Sequence, residues 1–110
     1  MDDGRDWLAG AWTGSAKQNG NHWTMLLSLD PKAEFFTVQY PSLGCRGVLT
    51  LSGRTAKFAR FRESINLNPG KKCAAVGVVL LTRRGDGGLD YQWNQPGDST
   101  AAASGVLRRK

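Results

Sequence analysis

The chain has 110 residues, with 15 Lys and Arg against 9 Asp and Glu and a formal net charge of +6. That length holds one domain with one core, because two cores would leave each half near the lower limit for independent folding. Apolar residues make up 40% and charged residues 22%, which fits a folded globule and excludes a disordered chain. No apolar run approaches the roughly 20 residues of a membrane-spanning helix.

The opening Met1-Asp2-Asp3-Gly4-Arg5-Asp6 is acidic and leads into no apolar stretch, so no secretory leader is expected. The expected location is cytoplasmic, or exported if the sequence is one domain of a longer chain. A short helical turn is expected over 5–9. Strand-like runs follow at 11–17, 23–29, 34–40, 46–52, 55–65, 73–82, 89–93 and 100–107, many of them rich in Val, Ile, Thr, Phe, Tyr and Trp. Between them lie Gln18-Asn19-Gly20-Asn21, Asp30-Pro31-Lys32, Pro41-Ser42-Leu43-Gly44, Ser52-Gly53-Arg54, the stretch 66–72, Gly85-Asp86-Gly87-Gly88 and Pro96-Gly97-Asp98. Each carries Gly, Asn, Asp or Pro, the residues that tolerate or pre-set turn dihedrals. Alternation is clearest at Leu89-Asp90-Tyr91-Gln92-Trp93-Asn94, with Leu89, Tyr91 and Trp93 on one face. About eight short runs joined by short turns predict an all-β fold. The expected form is an antiparallel up-and-down meander that closes, or nearly closes, into a small barrel and so removes its exposed edges. One domain over 1–110 is expected, with 1–6 and 108–110 as loose ends.

Cys45 and Cys73 are too few for a disulfide scaffold and show no CxxC spacing. A cytosolic chain favours two buried thiols and an exported one favours a bridge; either way the expected role is structural.

The segment Leu8-Ala9-Gly10-Ala11-Trp12-Thr13-Gly14 sets Gly10 and Trp12 in a G-x-W arrangement at the start of the first strand. It resembles the opening of the calycins, the small antiparallel barrels that include lipocalins and avidins. The resemblance implies that Trp12 plugs one end of the barrel, with a basic side chain near the last strand, Arg108 or Arg109, lying across its ring. The segments from Tyr40 to Leu51 (YPSLGC-x-G-x-L-x-L) and from Cys73 to Leu81 (C-x-x-x-G-x-V-x-L) are similar to those of small bacterial modules at the ends of multidomain chains. That likeness bears on architecture more than function; if the sequence is a fragment of a longer bacterial chain, an accessory or sensing domain is expected.

Constellations for catalysis are weak. His22, the single histidine, follows a turn and reads as a solvent-facing strand-end residue, with no nucleophile elbow nearby. Two Cys and one His without short spacing build no metal shell, and Gly85-Asp86-Gly87-Gly88 is neither a calcium nor a phosphate loop. Asp30, Glu34, Glu63, Asp90 and Asp98 are dispersed, so no catalytic carboxylate pair is assigned. No enzyme, metal or cofactor is expected.

Residues 46–84 hold nine Lys and Arg against Glu63 alone. Along 55–63, Phe58, Arg60 and Arg62 fall on one face of a strand and Lys57, Ala59, Phe61 and Glu63 on the other. Both faces mix ring and charge, and a β-bulge near Ala59 is expected to switch the register. Among the aromatics Trp7, Trp12, Trp23, Phe35, Phe36, Tyr40, Tyr91 and Trp93, most are expected to fill the core. Leu49, Leu51, Val79, Leu81 and Leu89 help to fill the interior and leave a shallow mouth pocket near Trp23, Tyr40, Tyr91 and Trp93.

The expected function is a non-enzymatic binding module that recognises a small ligand or a protein partner at its mouth. The alternative is a barrel for single-stranded nucleic acid, using Arg46, Lys57, Phe58, Arg60, Phe61 and Arg62.

Overall fold

A computed structural model describes residues 7–18, 20–29, 36–98 and 102–110. Its strands are β1 (Gly10–Gln18), β2 (Asn21–Leu29), β3 (Phe36–Tyr40), β4 (Cys45–Arg54), β5 (Phe58–Leu67), β6 (Val76–Arg83), β7 (Leu89–Asn94) and β8 (Ala103–Arg109), with a three-residue 3-10 turn at Pro69–Lys71 between β5 and β6. Each strand pairs antiparallel with the next, and β1 pairs with β8, so the sheet closes in the order β1 to β8. The expected all-β, up-and-down barrel is thus the observed one. The turn expected at 30–32, Phe35, and the starts of the runs at 34 and 100 lie outside the described residues, as do Arg5 and Asp6 of the expected helical turn. The described part of that segment, Trp7 to Ala9, holds a turn at Trp7 and Leu8 and no helix.

The strand pattern follows from period-two burial. In β3, Phe36, Val38 and Tyr40 are buried while Thr37 and Gln39 face out; in β7, Leu89, Tyr91 and Trp93 point inward. β5 keeps this alternation from Phe58 to Ser64, with Ala59, Phe61 and Glu63 inside. No register switch occurs at Ala59. The irregularities of the β4–β5 ladder fall instead between Arg46 and Gly47 and between Leu51 and Gly53. The interior is filled by side chains from all eight described strands, among them Phe61, Leu27, Leu49 and Leu81, and Phe36 meets Phe61 edge to face at 5.5 Å.

One end is shut. Trp12 is 1% exposed, and its indole Nε1–H donates to Leu8 O at 2.9 Å. Trp12 sits opposite Arg109 in the β1–β8 ladder, so both side chains lie on the same face. The Arg109 guanidinium carbon stands 4.4 Å from the ring centroid, and its NH groups donate to Ala9 O and Trp7 O. The cation over Trp12 therefore belongs to Arg109. Arg108 points outward to Asp86, 3.0 Å away. The end expected to be loose at 108–110 is the end of β8, and Lys110 N–H donates to Ala11 O at 2.8 Å. Gly10 explains the G-x-W spacing: at φ +121° it adopts a conformation that side chains avoid, and a Cβ there would lie 2.9 Å from the Arg109 guanidinium. Below Trp12, the half-buried Trp7 ring carries the guanidinium carbons of Arg54 and Arg83 at 5.4 and 5.9 Å.

Candidate functional site

The opposite end opens on a pocket of about 340 Å³ whose walls include Trp23 of β2, Tyr40 of β3 and Tyr91 and Trp93 of β7. All four residues expected at the mouth line it. His22, exposed at the start of β2, and the exposed Lys72 also contribute to the wall. The pocket also contains Glu63, which sequence reasoning set aside as one of several scattered acids.

Glu63 is 2% exposed, the sole buried charged residue among those described. Its strand position dictates this. Phe61 faces the core, and a residue two further along a strand shares that face. Burying a carboxyl costs several kcal/mol unless it is hydrogen-bonded, and here each of its oxygens accepts one bond. Trp93 Nε1–H donates to Glu63 Oε1 at 3.1 Å, and the Tyr40 hydroxyl donates to Oε2. Tyr40 has one proton and spends it on Glu63, so the Tyr91 hydroxyl, 2.9 Å away, donates to Tyr40. Tyr91 and Tyr40 thus form a chain to Oε2, and Trp93 donates separately to Oε1.

Gly77 makes this reach feasible. It sits directly opposite Glu63 in the β5–β6 ladder. A Cβ at residue 77 would lie 2.2 Å from Trp93 Nε1 and 2.4 Å from Cε2, so the indole occupies space that any other residue would fill. Gly77→Ala is expected to push the indole away from Glu63 and cost about 1–3 kcal/mol as an overpacked core. Denaturant unfolding measures the loss. Unchanged stability would show that the indole does not need that space.

Burial drives the Glu63 carboxyl above its ordinary value, against the opposing hydrogen bonds from Tyr40 and Trp93. Burial also raises both tyrosines, Tyr40 strongly, with the neighbouring acid adding to the effect. The stability consequence follows from linkage. Below the ordinary glutamate value of 4.5, folded and unfolded chains both hold the proton. As pH rises past it, the unfolded chain releases its proton while the folded chain keeps it, so stability falls until the folded value is passed. Glu63→Gln removes that slope. The melting temperature of the variant, relative to the native chain, is expected to rise between pH 4 and pH 8; a difference independent of pH would mean that Glu63 titrates normally.

The rim is held by a disulfide between Cys45 at the start of β4 and Cys73 in the β5–β6 connection, 28 residues apart in sequence. Of the two states open in the sequence, the bridged one is present. Asn68 fixes the same connection: its Nδ2–H donates to Cys73 O at 2.6 Å, and its Oδ1 accepts from Cys73 N–H at 3.1 Å.

The basic strands present a different surface. Arg46, Arg60 and Arg62 face outward from β4 and β5, Lys57 is exposed in the turn between them, and Phe58 is 40% exposed. Phe61, expected to stack on bases beside them, is fully buried and unavailable to any partner. Asp86 in the β6–β7 turn accepts from Arg84, Arg108 and the Gly88 amide, which hold its carboxyl well below the usual range, Arg108 contributing most.

Among the described residues, no three His, Cys, Asp or Glu side chains group to hold a metal ion, and no helix is long and apolar enough to cross a membrane. No protein-family model matches the chain, and searches of curated proteins and of solved structures each return no match.

Proposed function

We propose that this chain is a non-enzymatic, calycin-like binding module that takes one small ligand in its mouth. The pocket carries this reading. An eight-stranded barrel has room for its own side chains or for one small molecule. This one is packed solid at the Trp12 end and open over about 340 Å³ at the other, within the range of small-molecule sites. Four aromatic rings and one buried acid supply the apolar walls and the few fixed polar groups that such sites use. The ends of the barrel chain, Trp7 and Arg109, meet at the shut end. A neighbouring domain attached at either end would therefore leave the mouth clear, which suits an accessory or sensing role in a larger bacterial protein. The Cys45–Cys73 bridge favours an oxidising compartment over the cytoplasm.

The test is a screen of small molecules by thermal shift, followed by titration of hits against variants. Trp23→Ala in the pocket wall is expected to weaken binding at least tenfold, while Arg60→Ala with Arg62→Ala on the outer face leaves it unchanged. The reverse pattern would refute the reading. The exposed Arg46, Lys57, Arg60 and Arg62 keep the nucleic-acid alternative's cations, while its second ring, Phe61, is buried. Salt-sensitive binding of a single-stranded oligonucleotide, lost in the arginine variants, would favour that alternative.

A further inference from the structure

We infer that the mouth pocket is selective for a small organic ammonium ion carrying an apolar or aromatic body, seated with its charge on Glu63. The inference rests on the pocket-binding reading above and specifies its ligand.

Among the described residues, Glu63 has no counter-charge. Its hydrogen-bond partners, Tyr40 and Trp93, are neutral, and no described cation contributes to its electrostatic environment. Two donors occupy two of the roughly four acceptor sites of a carboxylate, which leaves capacity for a third donor arriving from the pocket. A buried carboxylate with only neutral partners is costly, and a cation placed beside it offsets that cost. The walls favour the same guest. Trp23, Tyr40, Tyr91 and Trp93 present π-systems, whose faces attract cations most strongly when both are out of water. Lys72 is exposed at the rim, where water and salt screen its charge; the floor is acidic.

The type of cation also follows. A divalent metal takes several oxygen or nitrogen ligands together, and no such cluster exists among the described residues. A substituted ammonium is less firmly hydrated than a metal ion, can direct one of its N–H groups at Glu63, and places its carbon body against rings. An anionic or purely apolar guest leaves the Glu63 carboxyl facing either a like charge or nothing.

The experiment uses three matched pairs of probes, benzylammonium with benzyl alcohol, phenethylammonium with 2-phenylethanol, and cyclohexylmethylammonium with cyclohexylmethanol. Each is titrated calorimetrically into the native chain, Glu63→Gln and His22→Gln at pH 8 and constant ionic strength. His22→Gln removes the imidazole from the wall near the mouth, leaving Lys72 at the rim and Tyr40 and Tyr91 at the floor. The native chain is expected to bind at least one ammonium tenfold or more tightly than its alcohol. Glu63→Gln is expected to bring the members of that pair within about twofold while still binding the alcohol, and His22→Gln to leave the preference intact. Equal binding of ammonium and alcohol by the native chain, or a preference that survives in Glu63→Gln, overturns the inference and leaves the pocket reading standing. Absence of binding by all six probes overturns both.

Discussion

Replacing Trp12 with alanine is expected to destabilise the chain by about 3–5 kcal/mol, the cost of truncating a fully buried aromatic residue. For a domain of this size that corresponds to a fall in melting temperature of roughly 15 °C or more. The packing of the indole dominates this effect. The cation–π contact with the exposed Arg109 is worth about 0.5–1 kcal/mol, and the hydrogen bond from Nε1 to Leu8 O about 1 kcal/mol. Arg109→Ala is accordingly expected to cost far less than Trp12→Ala, and Trp12→Phe to fall between them. Because Trp12 seals the end away from Glu63, Trp12→Ala should retain ligand binding at temperatures where it is folded. A melting temperature unchanged by Trp12→Ala would refute the plug.

The second large effect is expected at the other end. Replacing Cys45 and Cys73 together by alanine removes a constraint on a 28-residue segment. In the loop-entropy description this costs about 3–4 kcal/mol. The two losses differ in kind. Trp12→Ala removes native packing, whereas loss of the bridge frees the unfolded chain and releases the Cys73 segment that walls the pocket. The double cysteine variant is therefore expected to bind pocket ligands more weakly even under conditions where it is fully folded. Reduction of the native chain should reproduce its stability loss in denaturant unfolding. If reductant has no effect on the native chain while the double variant is equally stable, the bridge contributes nothing.

The strands were legible because their signals are local. Tyr91 and Trp93 alternate with Gln92 and Asn94, and nearly every turn between runs carries Gly, Asn, Asp or Pro. Closure was inferred from strand number, since the pairing of Trp12 with Arg109 joins residues nearly a whole chain apart and no local pattern encodes it. The choice between Arg108 and Arg109 was within reach: alternation that sends Leu107 inward sends Arg109 inward too. Cys45 and Cys73 sit on segments whose proximity only the barrel defines.

Glu63 shows why part of the site was missed. Alternation places it on the face of Ala59 and Phe61, and a bulge near Ala59 is expected there only because both faces of the strand mix ring and charge. What offsets the cost of burying a carboxyl is spread over the fold: Tyr40 from β3, Tyr91 and Trp93 from β7, and space left by Gly77 on β6. None is near Glu63 in sequence. The available signal was the pairing of an inward acid with Gly77 in the C-x-x-x-G segment, a residue whose missing side chain makes room for a larger one. Trp23, Tyr40 and Trp93 fall toward strand ends, where rings in a small barrel have few places to go but its mouth. Phe61, which the nucleic-acid alternative counts among its stacking rings, instead follows the alternation of its strand into the core.

The most direct test follows the Glu63 carboxyl carbon by NMR through a pH titration of the ligand-free chain, with Glu63→Gln identifying the resonance. A midpoint clearly above 4.5, the ordinary glutamate value, is the expected result, accompanied by a shift of the Trp93 indole Nε1–H over the same pH range. A midpoint at or below that value, with the Trp93 signal unmoved, would contradict a buried carboxyl held by Trp93 and remove the floor on which the binding site rests.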